Sequence, residues 1–217
     1  MATKNTKNRI KAEALRQFNA NGVERVTIRS IAEALAMSPG NLTYHYKNPD
    51  VLIYELYLDL VQAIDQTIIE LNHRTLDLSM LYEQLLSNQR KMFRHRFLLL
   101  EFATIGRRVE AVRLHFRHLV NNRQGQFQFV LRGLAEAGYL RSDLSDGTHV
   151  EMILQSIIFS NAWLTDAFLH FDRPDERVIP FYARLQMAML KPYLTQRGLE
   201  EYLTLLEDGE EFDGYPE

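Results

Sequence analysis

Within six positions, Gly40 to His45, the chain gathers a glycine, the amide of Asn41, the hydroxyl of Thr43, the phenol of Tyr44 and the imidazole of His45. Such groups donate and accept hydrogen bonds in patterns that suit base edges and phosphates rather than bond-breaking chemistry. Other clusters point elsewhere. His115 and His118 are three apart, a spacing that can hold a metal, but no third ligand is identifiable nearby, so a solvated pair is the better reading. Arg90, Lys91, Arg94, Arg96, Arg107 and Arg108 can meet an acidic ligand or DNA, or form a salt-bridged surface. Glu101, between Leu100 and Phe102, is either a buried anchor for a cationic ligand or a solvent-facing carboxylate. There is no phosphate-cradling glycine loop, nucleophile elbow or H-E-x-x-H pattern, and adjacent acids such as Glu200–Glu201 do not share a helix face. No enzymatic activity, metal or cofactor is expected.

Two short helices must position Gly40–His45. Thr27 can N-cap the first, whose apolar Ile28, Ile31, Ala32 and Leu35 recur at helical spacing. The chain turns through Ala36 and Met37. Ser38 is a second N-cap, with Pro39 at the first helical position, where its missing N–H costs nothing. Leu42 and Tyr46, four apart, face inward and leave Gly40, Asn41, Thr43, Tyr44 and His45 outside. The result is a helix-turn-helix whose second helix suits the major groove. Free N–H groups at both helix N-termini suit phosphates, with hydroxyls from Thr27 and Ser38 and charge from Arg29 and Lys47. Gly40 lets the backbone approach closely, and Asn41 can read a base.

Charge is distributed to match. The 217-residue chain carries a formal net charge of −3, but residues 1–50 hold eight Lys/Arg against four Asp/Glu, which leaves +4 there and −7 beyond. A basic head on an acidic body suits a DNA reader joined to something else. No cysteine is present, so disulfides and thiolate sites are excluded. Residues 1–9 are polar and basic, unlike a signal peptide, and no apolar run approaches the roughly 20 residues of a bilayer span. A soluble, cytoplasmic protein without membrane contact is expected.

The order of these features resembles the tetracycline-repressor (TetR) family of bacterial transcription regulators. The residues that carry it are Phe18-x-x-x-Gly22, Thr27-x-x-x-Ile31-Ala32, the run Met37 to Tyr46, and Leu52. It covers about residues 5–55, and no single piece is specific where the ordered set is. The resemblance implies an N-terminal three-helix reading domain and a variable all-helical domain behind it. It also implies that Thr43, Tyr44 and His45 touch phosphates or base edges. Two departures stand out: Thr43 replaces a common aromatic, and Pro49 replaces a common lysine, a loss for which Lys47 can compensate. Both bear on which operator is read.

The remaining chain reads as all-α. Helices are predicted at about 6–20, 49–73, 78–94, 97–106, 108–137, 147–171, 176–195 and 198–206, with residues 1–4 disordered; Lys4, Lys7 and Arg9 can touch phosphates. The acidic tail 207–217 is predicted to be disordered. Domains are therefore expected at 1–48, for DNA binding, and 49–206, for ligand binding and dimerisation. Leu52, Leu56, Leu60, Ile64 and Ile68 line the 49–73 helix at i+4. The 147–171 helix is apolar on two sides, through Leu154, Ile157 and Phe168 and through Met152, Phe159 and Trp163, so it must be covered on two sides. The 176–195 helix is similar. Either both are central in a monomer or, as the resemblance implies, they form a four-helix homodimer interface. The aromatics Phe93, Phe97, Phe102, Phe127, Phe159 and Trp163 are core residues or line an apolar cavity for a small-molecule effector.

The reading is a dimeric regulator of a palindromic operator, a repressor released by an inducer. An activator of the same fold, or a helical small-molecule carrier without DNA binding, remains open.

Overall fold

The computed structural model describes residues 2–71, 76–207 and Tyr215. In chain order the helices are α1 (Ala2–Asn21), α2 (Ile28–Ala34), α3 (Pro39–His45), α4 (Pro49–Leu71), α5 (Leu78–Arg94), α6 (Arg96–Leu100), α7 (Phe102–Arg108), α8 (Glu110–Glu136), α9 (Asp146–His170), α10 (Ile179–Ala188) and α11 (Gln196–Glu207). Short 3-10 turns occupy Glu176–Val178 and Lys191–Tyr193. No strand occurs among the described residues; Leu140 and Leu194 form an isolated antiparallel bridge.

Three ranges differ from expectation. Residues 2–5 continue α1, since nothing in Ala2-Thr3-Lys4 breaks a helix; the side chain of Lys4 lies outside the described ones. The helix expected over 97–106 is broken at Glu101, whose φ of −116° and ψ of 22° end α6 and begin α7. The helix expected over 176–195 is three pieces, because α10 stops at Ala188 and the chain then tightens through Pro192. The expected disorder of the tail falls on 208–214 and 216–217, outside the described residues. Tyr215 stacks on His170 with ring centroids 3.8 Å apart and donates to Asp166 at 3.1 Å.

The chain forms two compact units. The first comprises residues up to Ala63 together with Arg94–Arg117, the second Ile64–Phe93 and the described residues from His118 onward. In the first, Ile10, Ala14 and Phe18 of α1 share a core with Ile31, Leu42, Tyr46, Leu52 and Leu56, all essentially buried. Gln17 is buried among them with its amide in use: it donates to Ser30 O and Glu13 Oε1 and accepts from Ser30 Oγ at 2.7 Å. That ties α1 to the first turn of α2.

The same unit holds the turn after α1. Gly22 adopts φ +77°, a left-handed conformation that ends the helix. Val23 N–H then donates to Glu101 Oε1 at 3.0 Å, and Val23 O accepts from Arg108 Nη1 at 3.0 Å. Arg108 Nε also donates to Asp50 Oδ1 at 2.6 Å. One helical turn back, Asn19 Nδ2 donates to Arg94 O and Asn19 Oδ1 accepts from Phe97 N–H, which caps α6 where His95 provides no side-chain cap. Phe18 stacks on Phe97 with centroids 5.0 Å apart. Glu101 is thus half-buried and caps backbone of the α1–α2 turn rather than standing in solvent.

In the second unit, Leu78, Leu131, Leu134, Tyr139, Leu140, Met152, Ile153, Met187 and Tyr202 form the core. Glu201 of α11 caps α5, accepting from Leu78 N–H at 2.9 Å. By length and composition α9 would suffice to cross a bilayer. Its Met152, Ile153, Trp163, Leu164 and Ala167 are nevertheless buried within the unit, and Glu151 and Asp166 interrupt the apolar run.

A Cβ at Gly22 would adopt a strained φ and lie 3.0 Å from Glu101 Oε1. Gly22→Ala should therefore destabilise the protein by at least about 1 kcal/mol, read as a lower melting temperature. Glu101→Ala should accelerate hydrogen exchange at the Val23 amide while the buried amides of α9 keep their protection.

Candidate functional site

The two helices of the reading motif are set by local chemistry. Thr27, in extended conformation, accepts from Ser30 N–H at 3.0 Å, while Ser30 Oγ accepts from Thr27 N–H at 3.1 Å, a reciprocal capping box. Ala36, at φ +52°, makes the turn between the helices. Ser38 then accepts from Asn41 N–H at 3.2 Å, with Pro39 behind it. Asn48 Oδ1 accepts from Val51 N–H at 3.1 Å, starting α4 three residues after α3 ends.

Side chains sort cleanly along α3. Leu42 and Tyr46 are buried. Ser38, Gly40, Asn41, Thr43, Tyr44 and Lys47 are exposed and His45 half-buried, with Tyr44 at 83%. Tyr44 and His45 meet edge to face, centroids 5.3 Å apart. Thr43 Oγ1 donates to Pro39 O at 2.8 Å and keeps lone pairs free to accept. Thr27 and Arg29 are exposed at α2, and Arg29 pairs with Glu33 at 2.9 Å. So exposed a pair contributes little and can be exchanged for a phosphate. Lys7 sits over the Tyr46 ring at 5.8 Å, and Arg9 and Arg25 are exposed in the same unit. Arg25, just before α2, was not among the residues singled out from sequence; its place in a short turn beside a helix N-terminus was the available signal.

Two residues separate packing from recognition. Burial, with the charges of Glu55 and Asp59, pushes the pKa of the Tyr46 phenol up to about 12, and its hydroxyl has no hydrogen-bond partner among the described residues. Tyr46 thus acts as a hydrophobe. At Gly40 an added Cβ would meet nothing within 4 Å, so folding places no demand on glycine there.

The comparisons with known proteins agree with this geometry. A family model described as "Bacterial regulatory proteins, tetR family" matches residues 10–56, and one described as "Bacterial transcriptional repressor" matches residues 60–202. The chain belongs to the TetR family. None of the curated proteins compared with it matches. Among solved structures, a TetR-family transcriptional regulator from Marinobacter aquaeolei VT8 is 23% identical over 94% of this chain and 98% of its own, with a TM-score of 0.85. A γ-butyrolactone receptor (ArpA-like protein) is 13% identical over 96% and 98%, TM-score 0.70. A SmeT–triclosan complex is 16% identical over 88% and 92%, TM-score 0.56. At these identities the likeness establishes the fold.

The aromatics singled out from sequence separate. Phe97 and Phe102 lie in the first unit, Phe97 against Phe18 and Phe102 against Phe116 at 4.8 Å. Phe93 and Trp163 are buried in the second, Trp163 beside Tyr182, and Phe159 is half-buried. Phe127 lines a cavity among α5, α8, α9 and α10, with Leu81, Met152, Ser156, Gln186 and Met187. Ser156 and Gln186 were missed by sequence reading; the available signal was polar residues on otherwise apolar helix faces. His115 is half-buried and pairs with Tyr57 Oη at 3.1 Å, and no metal-ligating cluster occurs among the described residues.

Gly40→Ala should leave the melting temperature unchanged or slightly raised, while DNA affinity falls several-fold. Tyr46→Phe should leave DNA affinity unchanged and the melting temperature unchanged or raised. Thermal melts and fluorescence anisotropy on a bound DNA duplex check the pair.

Proposed function

We propose that this TetR-family regulator is a dimeric repressor of a palindromic operator, released by a small-molecule inducer and without catalytic activity of its own. The observation that carries it is α3, capped and buried through Leu42 and Tyr46, with Gly40, Asn41, Thr43 and Tyr44 exposed and His45 half-buried beside them. Asn41 reads a base edge, Gly40 lets the backbone close on DNA, and Thr27, Arg29, Ser38 and Lys47 hold phosphates.

Dimerisation through α9 and α10 is supported by their exposed apolar line. Leu154, Ile158, Phe168 and Leu169 of α9 and Leu185 of α10 are open to solvent, Ile158 at 67% and Leu169 at 79%. Such a surface is unusual on a monomer. A two-fold dimer would carry two α3 helices to major grooves about 34–36 Å apart, or a multiple of that. The γ-butyrolactone receptor and the triclosan complex among the structural relatives support a small-molecule effector. Binding of effector in the helical domain lowers operator affinity with a coupling of about 1–3 kcal/mol. α4 and α8 carry it, since each has residues in both compact units. The domain division proposed is 1–48 for DNA binding and 49–206 for ligand and dimer, in a cytoplasmic protein with no membrane role.

Selection of random or genomic DNA by the purified protein, followed by sequencing, should return a palindrome. If none is enriched and a small molecule still binds, the chain is a carrier instead. With about eight phosphates neutralised per dimer, log K should fall against log salt with a slope of about −7. Arg29→Ala and Lys47→Ala should flatten that slope without altering sequence preference, whereas Asn41→Ala should relax preference at one base pair per half-site. Ile158→Asp should convert the dimer to monomer in sedimentation analysis and weaken operator binding with it.

A further inference from the structure

A cavity of the second unit has a lining without charge. Its volume is about 70 Å³, and none of the residues that line it is ionisable. The walls are aliphatic, aromatic and thioether, from Leu81 and Leu85 of α5, Phe127 of α8 and Met152 of α9 to Met187 and Met189 at the end of α10. Polar groups come from Gln155, Ser156 and Gln186. Gln155 is exposed at the cavity mouth, and a ligand charge placed at the buried floor would lose hydration with no lining charge to compensate.

Ser156 and Gln186 belong to a neutral network with Ser160 and Gln89. Gln186 is 5% exposed; its Nε2 lies 2.8 Å from Ser156 Oγ, 2.9 Å from Ser160 Oγ and 3.4 Å from Ser156 O, three acceptors for two hydrogens. Gln186 Oε1 accepts from Gln89 Nε2 at 3.1 Å, and the buried Gln89 Oε1 has no partner among the described residues. Ser156 Oγ accepts one Gln186 hydrogen and still has its own proton to give. It can therefore donate to a hydroxyl or carbonyl oxygen inside the cavity.

We propose that this cavity takes an uncharged, largely apolar molecule bearing one hydroxyl or carbonyl group, held by Ser156 and Gln186. This names the chemical class of the effector and rests on the regulator reading for its consequence on DNA. At about 70 Å³ the space is under half of the roughly 150 Å³ that accepts a benzene ring. Entry therefore requires the walls to give, and Met152, Met187 and Met189 are the side chains that repack most readily. Met187 also lines a smaller cavity of about 10 Å³ bordered by Arg184, the place where an anionic ligand would be drawn if the assignment were wrong.

The test is isothermal titration of the full-length protein at neutral pH with 1-octanol, 4-butylphenol, octanoate and octylammonium. Saturable binding near one per chain is expected for at least one of the two neutral compounds. The charged compounds should bind at least tenfold more weakly. Ser156→Ala, with an unchanged melting temperature, should weaken the neutral ligand about two- to tenfold, the value of one hydrogen bond. Octanoate binding as tightly as the neutral compounds, no saturable neutral binding, or full affinity in Ser156→Ala would each overturn the proposal. Operator affinity is measured in parallel. Neutral binding that leaves operator affinity intact would uphold the cavity chemistry and remove the inducer role, whereas operator binding without ligand binding would remove this proposal alone.

Discussion

The residue on which the reading head depends is Val23, whose two backbone groups are both held by side chains from the 101–108 segment. A peptide unit just past a left-handed helix end has no helical partner, and leaving it buried and unpaired would cost more than any surface contact returns. Here Glu101 accepts its N–H and Arg108 donates to its carbonyl. Bonds to charged groups are the stronger kind, and their geometry fixes direction as well as energy. Arg108 continues to Asp50 in the first turn of α4, so the start and end of the motif are held by one guanidinium. Gly22 makes this possible, since a side chain there would compete for the Glu101 position.

Around that anchor the first unit uses its polar groups in two ways. Several that face inward are paired, Gln17 with Ser30 and Glu13, Asn19 with the backbone of Arg94 and Phe97, Lys11 with Asp59. Those on α3 are largely left unpaired, and Tyr44, Asn41 and Lys47 stand in solvent. Rigid support behind a row of unspent donors and acceptors is what groove recognition needs, because groups already paired would have to be released before they could read a base.

The second unit applies the opposite arrangement. Its cavity combines soft apolar walls with a neutral amide–hydroxyl network and no ionisable lining residue. The selectivity proposed for it rests on which groups are absent as much as on which are present, since a charge entering would find no lining charge to neutralise it. The apolar residues α9 leaves exposed lie on the same helix whose other face, through Met152 and Trp163, belongs to the core. One helix thereby serves packing and surface at once.

Local chemistry was legible in the sequence. Thr27 and Ser38 announce helix starts, Gly22 a helix end, and Leu42 with Tyr46 an inward face, because capping, left-handed turns and i+4 spacing act within a few residues. The all-α class and the ranges of α4, α5, α8 and α9 followed from the same periodicities. Contacts between residues distant in sequence decided the rest. Glu101 breaks its helix to reach a turn 78 residues away, Phe97 stacks on Phe18, and Ser156 meets Gln186 across two helices. Periodicity gives the face of a helix but not the partner that face will meet. The sequence by itself therefore determined where helices begin, end and turn, whereas tertiary packing decided which polar side chains were consumed and which remained free to bind.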